Sequence, residues 1–153
     1  MKKGKAFFVV SARRLGKSQT LMALTGGITA RRFAIEGARF VVRRMSNDVD
    51  DEGFFDLLDN TYPDSAPHVI LAMRPTFKDD RRRKPLVAAL NAFGQRYEMF
   101  FFVLGRQETH PGKLLPKHQI EPLKALGVLQ VFNRSVEGES RARAFKKFIV
   151  SNM

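Results

Sequence analysis

The sequence predicts an α/β fold in one domain: a mostly parallel central sheet with helices on both faces, a three-layer sandwich. Three observations predict it. Apolar runs of strand length recur along the chain. Segments of helical period fall between them, and that alternation builds parallel βαβ units. The chain of 153 residues is long enough for one substantial core and has no interdomain linker or internal repeat.

The elements follow in order. Ala6 to Val10 is apolar and rich in strand formers, which suits a buried parallel strand at the centre of the sheet. Ser11 to Gly16 is a loop. Lys17 to about Ile35 reads as a helix, with Leu21, Leu24 and Ile28 on one face and Phe33 and Ile35 continuing it. Gly26-Gly27 weakens its middle, and Gly37 stands where a C-terminal glycine cap would. Phe40-Val41-Val42 starts a second strand, and the polar Ser46 to Glu52 is a loop. Gly53 to Asn60 suits a short helix or a strand. His68 to Met73 is a third strand. Pro85 opens a helix that runs to about Tyr97. Met99 to Leu104 is a fourth strand, Gly105 to Lys117 a long loop, and Gln119 to Ala125 a short helix stopped by Gly127. Val128 to Phe132 is a fifth strand, and Ser140 to about Val150 a final helix.

Composition narrows the chemistry. There is no cysteine, which excludes disulfides, thiolate metal sites and a cysteine nucleophile. His68, His110 and His118 lack metal-ligand spacing. No segment approaches the ~20 apolar residues that span a bilayer, and the N-terminal residues lack a signal-peptide pattern. A cytoplasmic location is expected, without a membrane partner. The net charge of +12 favours a polyanion, because the cations are clustered as well as abundant.

The sharpest motif is Ser11-Ala12-Arg13-Arg14-Leu15-Gly16-Lys17-Ser18 between the first strand and the first helix. It matches G-x-x-x-x-G-K-[ST], with Ser11 in place of the first glycine. Backbone N–H groups of such a loop and of the following helix start point at phosphate oxygens. Gly16 permits close backbone approach, Lys17 reaches the β- and γ-phosphates, and Ser18 ligates Mg²⁺. Arg13 and Arg14 either crowd this nest or add charge to it. The expected nucleotide-binding residues are Ser11, Arg13, Arg14, Leu15, Gly16, Lys17, Ser18 and Gln19. The plainer alternative is a capped helix start with an incidental lysine.

Taken with Glu36-Gly37-Ala38-Arg39 and the strand from Phe40 to Asp48, this loop resembles the ParA/MinD group of P-loop ATPases, including StbB-like and CobQ/CobB-type relatives. His68 to Pro75, followed by a helix and the strand through Leu104, resembles a later segment of the same group. The resemblance implies a P-loop NTPase-like sandwich, ATP and Mg²⁺ as cofactors, a homodimer, an adaptor or DNA-binding partner protein, and a role in plasmid or chromosome partition or positioning. Ala12 stands where the group carries a signature lysine. The group's acidic metal residue has two counterparts: Asp59, at the end of Phe54-Phe55-Asp56-Leu57-Leu58-Asp59, and Asp48. With Ser18 they form the expected Mg²⁺ set, although Asp56 and Asp59 also suit an exposed helix face. Nucleotide binding is better supported than hydrolysis.

The remaining cations gather in Arg81-Arg82-Arg83-Lys84 and on the last helix, at Arg141, Arg143, Lys146 and Lys147. Ala144, Phe145, Phe148 and Ile149 give that helix an apolar stripe. The basic residues suit a solvated face, a membrane surface or non-specific contact with DNA phosphates, and the resemblance favours DNA. Two other functions share these features. A small-molecule or nucleotide kinase would use Arg81 to Lys84 as a lid over the transferred phosphate. A non-enzymatic DNA-binding module would carry the loop as a vestige.

Overall fold

The computed structural model describes residues 3–12, 17–26, 31–47, 49–75, 85–104, 115, 117–132 and 138–153. The strands are β1 (Gly4–Val10), β2 (Arg32–Ile35), β3 (Ala38–Arg43), β4 (His68–Met73), β5 (Tyr97–Leu104) and β6 (Val128–Phe132). The helices are α1 (Lys17–Leu24), α2 (Asp51–Asn60), α3 (Leu86–Phe93), α4 (Lys117–Leu126) and α5 (Gly138–Ser151). The strands form one six-stranded sheet in the order β2-β3-β4-β1-β5-β6. All neighbours are parallel except the β2–β3 pair. The α/β class, the mostly parallel sheet and the inner position of the first strand are as the sequence predicts.

The alternation of β1 separates two apolar layers. Ala6, Phe8 and Val10 pack with Phe54 and Leu58 of α2, Leu90 and Phe93 of α3, and Leu123 of α4. Phe7 and Val9 point the other way, onto Leu21 and Leu24 of α1 and Phe145, Phe148 and Ile149 of α5. The helices thus cover both faces, and β1 is buried on both sides. On one face α2, α3 and α4 carry the chain from β3 towards β6. On the other, α1 carries it back from β1 to β3. All four crossovers therefore share one hand, as the crossover rule requires.

Three expectations change. The helix predicted from Lys17 to Ile35 stops at Leu24, beside Gly26 in the left-handed region at φ 67°. Phe33 and Ile35 do not continue it. They belong to β2, where Ile35 is buried and Arg32 and Ala34 are exposed, a period of two. Gly37 caps no helix. Glu36 and Gly37, at φ 51° and 82°, form the two-residue turn between β2 and β3, the type I′ pattern that matches strand twist. Gly53 to Asn60, open in the sequence between a short helix and a strand, lies within helix α2, where Phe54 and Leu58 are buried one turn apart.

Asp50 starts α2. Its side chain accepts from Gly53 N at 3.1 Å, and Asp51 and Glu52 in the first turn oppose the helix dipole. Arg43 donates to the same carboxylate at 2.6 Å. The Gly53 N–H and the Arg43 guanidinium hold the Asp50 carboxyl below its ordinary value. The charge on Asp50 therefore stabilises the fold above the unfolded value of 3.8 and ceases to do so as pH falls through the lower folded value. Asp50→Asn keeps a capping oxygen and removes that charge. Thermal melts should show the variant less stable at neutral pH, with the gap closing in acid. A gap that is the same at pH 7 and at low pH contradicts this account of the contact.

Candidate functional site

The topology directs attention to the carboxyl end of β1. The helix after β1 lies on one face, whereas those after its sheet neighbours β4 and β5 lie on the other. Adjacent strands whose connections part in this way leave a crevice at their carboxyl ends, where ligands of open α/β sheets bind. The motif found in the sequence begins there.

Lys17 is the first residue of α1 and only 6% exposed. Its ammonium turns back onto the end of β1. It donates to Ser11 O at 3.3 Å, Ser11 Oγ at 3.3 Å and Ala12 O at 3.1 Å. The local reason is geometric. Regular pairing of β1 with β4 ends at Val10 and Met73, with Ser11 N adding one more bond to Met73 O at 3.3 Å. Carbonyls beyond that point need donors, and the strand-to-helix reversal brings the Lys17 side chain over them. Ser11 is fully buried, while Ser18 and Gln19 are exposed on the first turn of α1. The structure therefore brings together Ser11, Lys17, Ser18 and Gln19. Arg13, Arg14, Leu15 and Gly16 lie outside the described residues.

The arrangement can hold an anion. An ammonium, the start of α1 and an exposed hydroxyl meet at the carboxyl end of β1. Ser18, exposed on the first turn of α1, could share a cation that also takes phosphate oxygens, because Mg²⁺ needs few protein ligands beside a nucleotide. Asp59 does not join it. It sits on the exposed last turn of α2. Arg96 binds the carbonyls of Leu58 and of Thr61, the latter at 3.1 Å, and its own carbonyl accepts from Gly4 N at 3.0 Å. That end of α2 is therefore at the amino end of β1, about 20 Å of strand from Lys17. The expectation that Asp59 shares a metal with Ser18 is corrected. Asp48 lies outside the described residues, and these contain no cluster of three or more His, Asp or Glu suited to a metal.

One residue of the crevice is not apparent from the sequence motif. Asn47, almost fully buried, pairs its side-chain amide with the Arg74 peptide: Nδ2 donates to Arg74 O at 2.8 Å, and Arg74 N donates to Oδ1 at 2.7 Å. It ties the loop after β3 to the carboxyl end of β4. A polar residue just past a buried strand is the only sequence signal, and its partner is 27 residues away.

The basic helix divides in two. Arg143, Lys146 and Lys147 are exposed on one stripe of α5, with Arg143 Nη2 donating to Ser140 Oγ at 3.1 Å. Arg141 was expected to meet DNA, but it is 3% exposed and faces α1. Its Nε donates to Thr20 Oγ1 at 3.2 Å and its Nη2 to Gln19 Oε1 at 3.3 Å. Burial pulls its pKa below the ordinary arginine value. The second basic cluster, Arg81, Arg82, Arg83 and Lys84, lies outside the described residues. Among the described residues, no helix is long and apolar enough to cross a membrane. Compared with known proteins, the chain matches no family model and no curated sequence.

Proposed function

We propose that the chain binds ATP with Mg²⁺ at the carboxyl end of β1 and holds DNA without sequence preference through α5. It would act as a ParA-like protein in partition or positioning. The observation that carries this reading is Lys17: a buried ammonium at the start of α1, at the topological switch, held by carbonyls of its own loop. Phosphate oxygens are stronger acceptors for an ammonium than neutral carbonyls. The Lys17 side chain would exchange its loop carbonyls for phosphate, while the first-turn amides of α1 take further phosphate oxygens and Ser18 helps hold Mg²⁺. The ParA-like reading rests on the sequence resemblance carried by Ser11 to Ser18 and the segments that follow it. A homodimer and an adaptor protein belong to the same proposal.

The DNA half rests on charge. Arg143, Lys146 and Lys147 form an exposed stripe, and the chain carries a net +12. Each phosphate contact contributes about −0.9 to the slope of log affinity against log salt. Replacing these three residues by alanine should flatten the slope by up to about 2.7, with the fold intact because Phe145, Phe148 and Ile149 still fill the core. Fluorescence anisotropy of a labelled duplex across a salt series, with and without ATP and Mg²⁺, measures this. An ATP-dependent affinity supports the partition reading. Affinity indifferent to ATP supports a simple DNA-binding module. A folded triple variant with the wild-type slope removes α5 from the interface.

A further inference from the structure

We infer that Arg141 of α5 belongs to the phosphate site, as a positioning residue that supplies a fixed positive charge behind the first turn of α1; this rests on the proposed phosphate binding at Lys17. Three observations converge on it. The guanidinium is buried and donates to two residues of that turn, Thr20 at 3.2 Å and Gln19 at 3.3 Å. Those residues follow directly on Lys17 and Ser18. The start of α5 abuts the same turn, since a Cβ added at Gly138 would stand 3.5 Å from the Gln19 carbonyl.

Placing an arginine there carries a desolvation cost, which appears as its lowered pKa. An apolar side chain could fill the same space beside Ala142 and Phe145. The charge acts instead through α1. Its hydrogen bonds fix Gln19 and Thr20, and so hold the first turn of α1. Its field adds to the positive end of the helix dipole and to Lys17 in a region shielded from solvent. The benefit grows with the charge of the bound group. Arg141 should therefore matter more for a triphosphate than for a diphosphate, a dependence that mere packing would not produce.

The test is calorimetric titration of ATP and ADP with Mg²⁺, and of inorganic pyrophosphate, into wild type, Arg141→Gln and Arg141→Lys. Arg143→Ala removes an exposed charge from the same helix and serves as the control. Arg141→Gln should lose about tenfold in ATP affinity, and clearly less for ADP. Arg141→Lys should keep most of the preference for ATP, and Arg143→Ala all of it. Thr20→Val keeps the guanidinium but removes one anchor. It should weaken ATP more than ADP, and it carries the comparison if Arg141→Gln does not fold. Equal losses for ATP and ADP, or no loss in any Arg141 or Thr20 variant, would overturn the inference while leaving the phosphate site intact. If wild type binds neither ATP nor pyrophosphate, the site reading fails first and Arg141 falls with it.

Discussion

Phe102→Ala should destabilise the protein by about 3–5 kcal/mol, the usual cost of deleting a fully buried aromatic ring. Phe102 is 0% exposed on β5. Its ring lies 5.3 Å from that of Phe145, 5.5 Å from Phe148 and 5.6 Å from Phe132. One side chain thus joins β6 and α5 to the centre of the sheet. Collapse around the void is restricted because those rings are held on two separate elements, β6 and α5. A domain of this size has a total stability of about 5–15 kcal/mol, so the loss should be a large fraction of it. Urea denaturation should show a large drop in midpoint. Val128→Ala, on the half-exposed face of the edge strand β6, is the comparison and should change stability by about 0.5 kcal/mol or less. A loss below about 1 kcal/mol for Phe102→Ala would mean that α5 is not docked on the sheet as described.

The same packing explains what was legible in advance. β1, β4 and β5 are continuous apolar runs because helices cover both faces of the sheet, and such runs stand out in a sequence. α5 is legible from its stripe. β2 is not, because it has four residues at a sheet edge with only Ile35 buried, so its alternation is too short to oppose a helical reading. Glu36-Gly37 lacks the Asn-Gly or Asp-Gly form that marks a type I′ hairpin most clearly. α2 stays ambiguous in sequence because Phe54-Phe55 and Leu57-Leu58 fit either period, and the Asp50 cap decides it.

The site divides in the same way. Lys17 is legible because Gly16-Lys17-Ser18 sits between a strand and a helix, a local signal. Arg141 is misread as a DNA contact when charge alone is considered. Its spacing carries the correction: Arg141, Ala142, Phe145, Phe148 and Ile149 share one helical face, so the arginine belongs to the buried stripe. Asn47 depends on a partner across the sheet and has no local signature. Asp59 is misplaced because the sequence leaves open which end of α2 lies near the loop. A helix that returns the chain between parallel strands must end at the amino end of the sheet.

Lys17→Ala should weaken ATP binding by at least about 1.4 kcal/mol, a tenfold loss in affinity. The fold should remain, since the apolar face of α1 is set by Leu21 and Leu24. The carbonyls of Ser11 and Ala12 would lose their ammonium donor, which lowers stability by about 1–3 kcal/mol without unfolding the chain. Nucleotide affinity is therefore compared between folded proteins, below the melting temperature of the variant. The loss of affinity should also appear for inorganic pyrophosphate, because in the proposed site Lys17 would meet phosphate and not base.

The most direct measurement is calorimetric titration of ATP into the wild-type protein and Lys17→Ala, each with and without Mg²⁺. The account predicts saturable binding by wild type, tighter with Mg²⁺ if Ser18 shares the ion as proposed, and at least a tenfold weaker affinity in Lys17→Ala. Absence of binding by the folded wild type, or equal affinity in the two proteins, would contradict it.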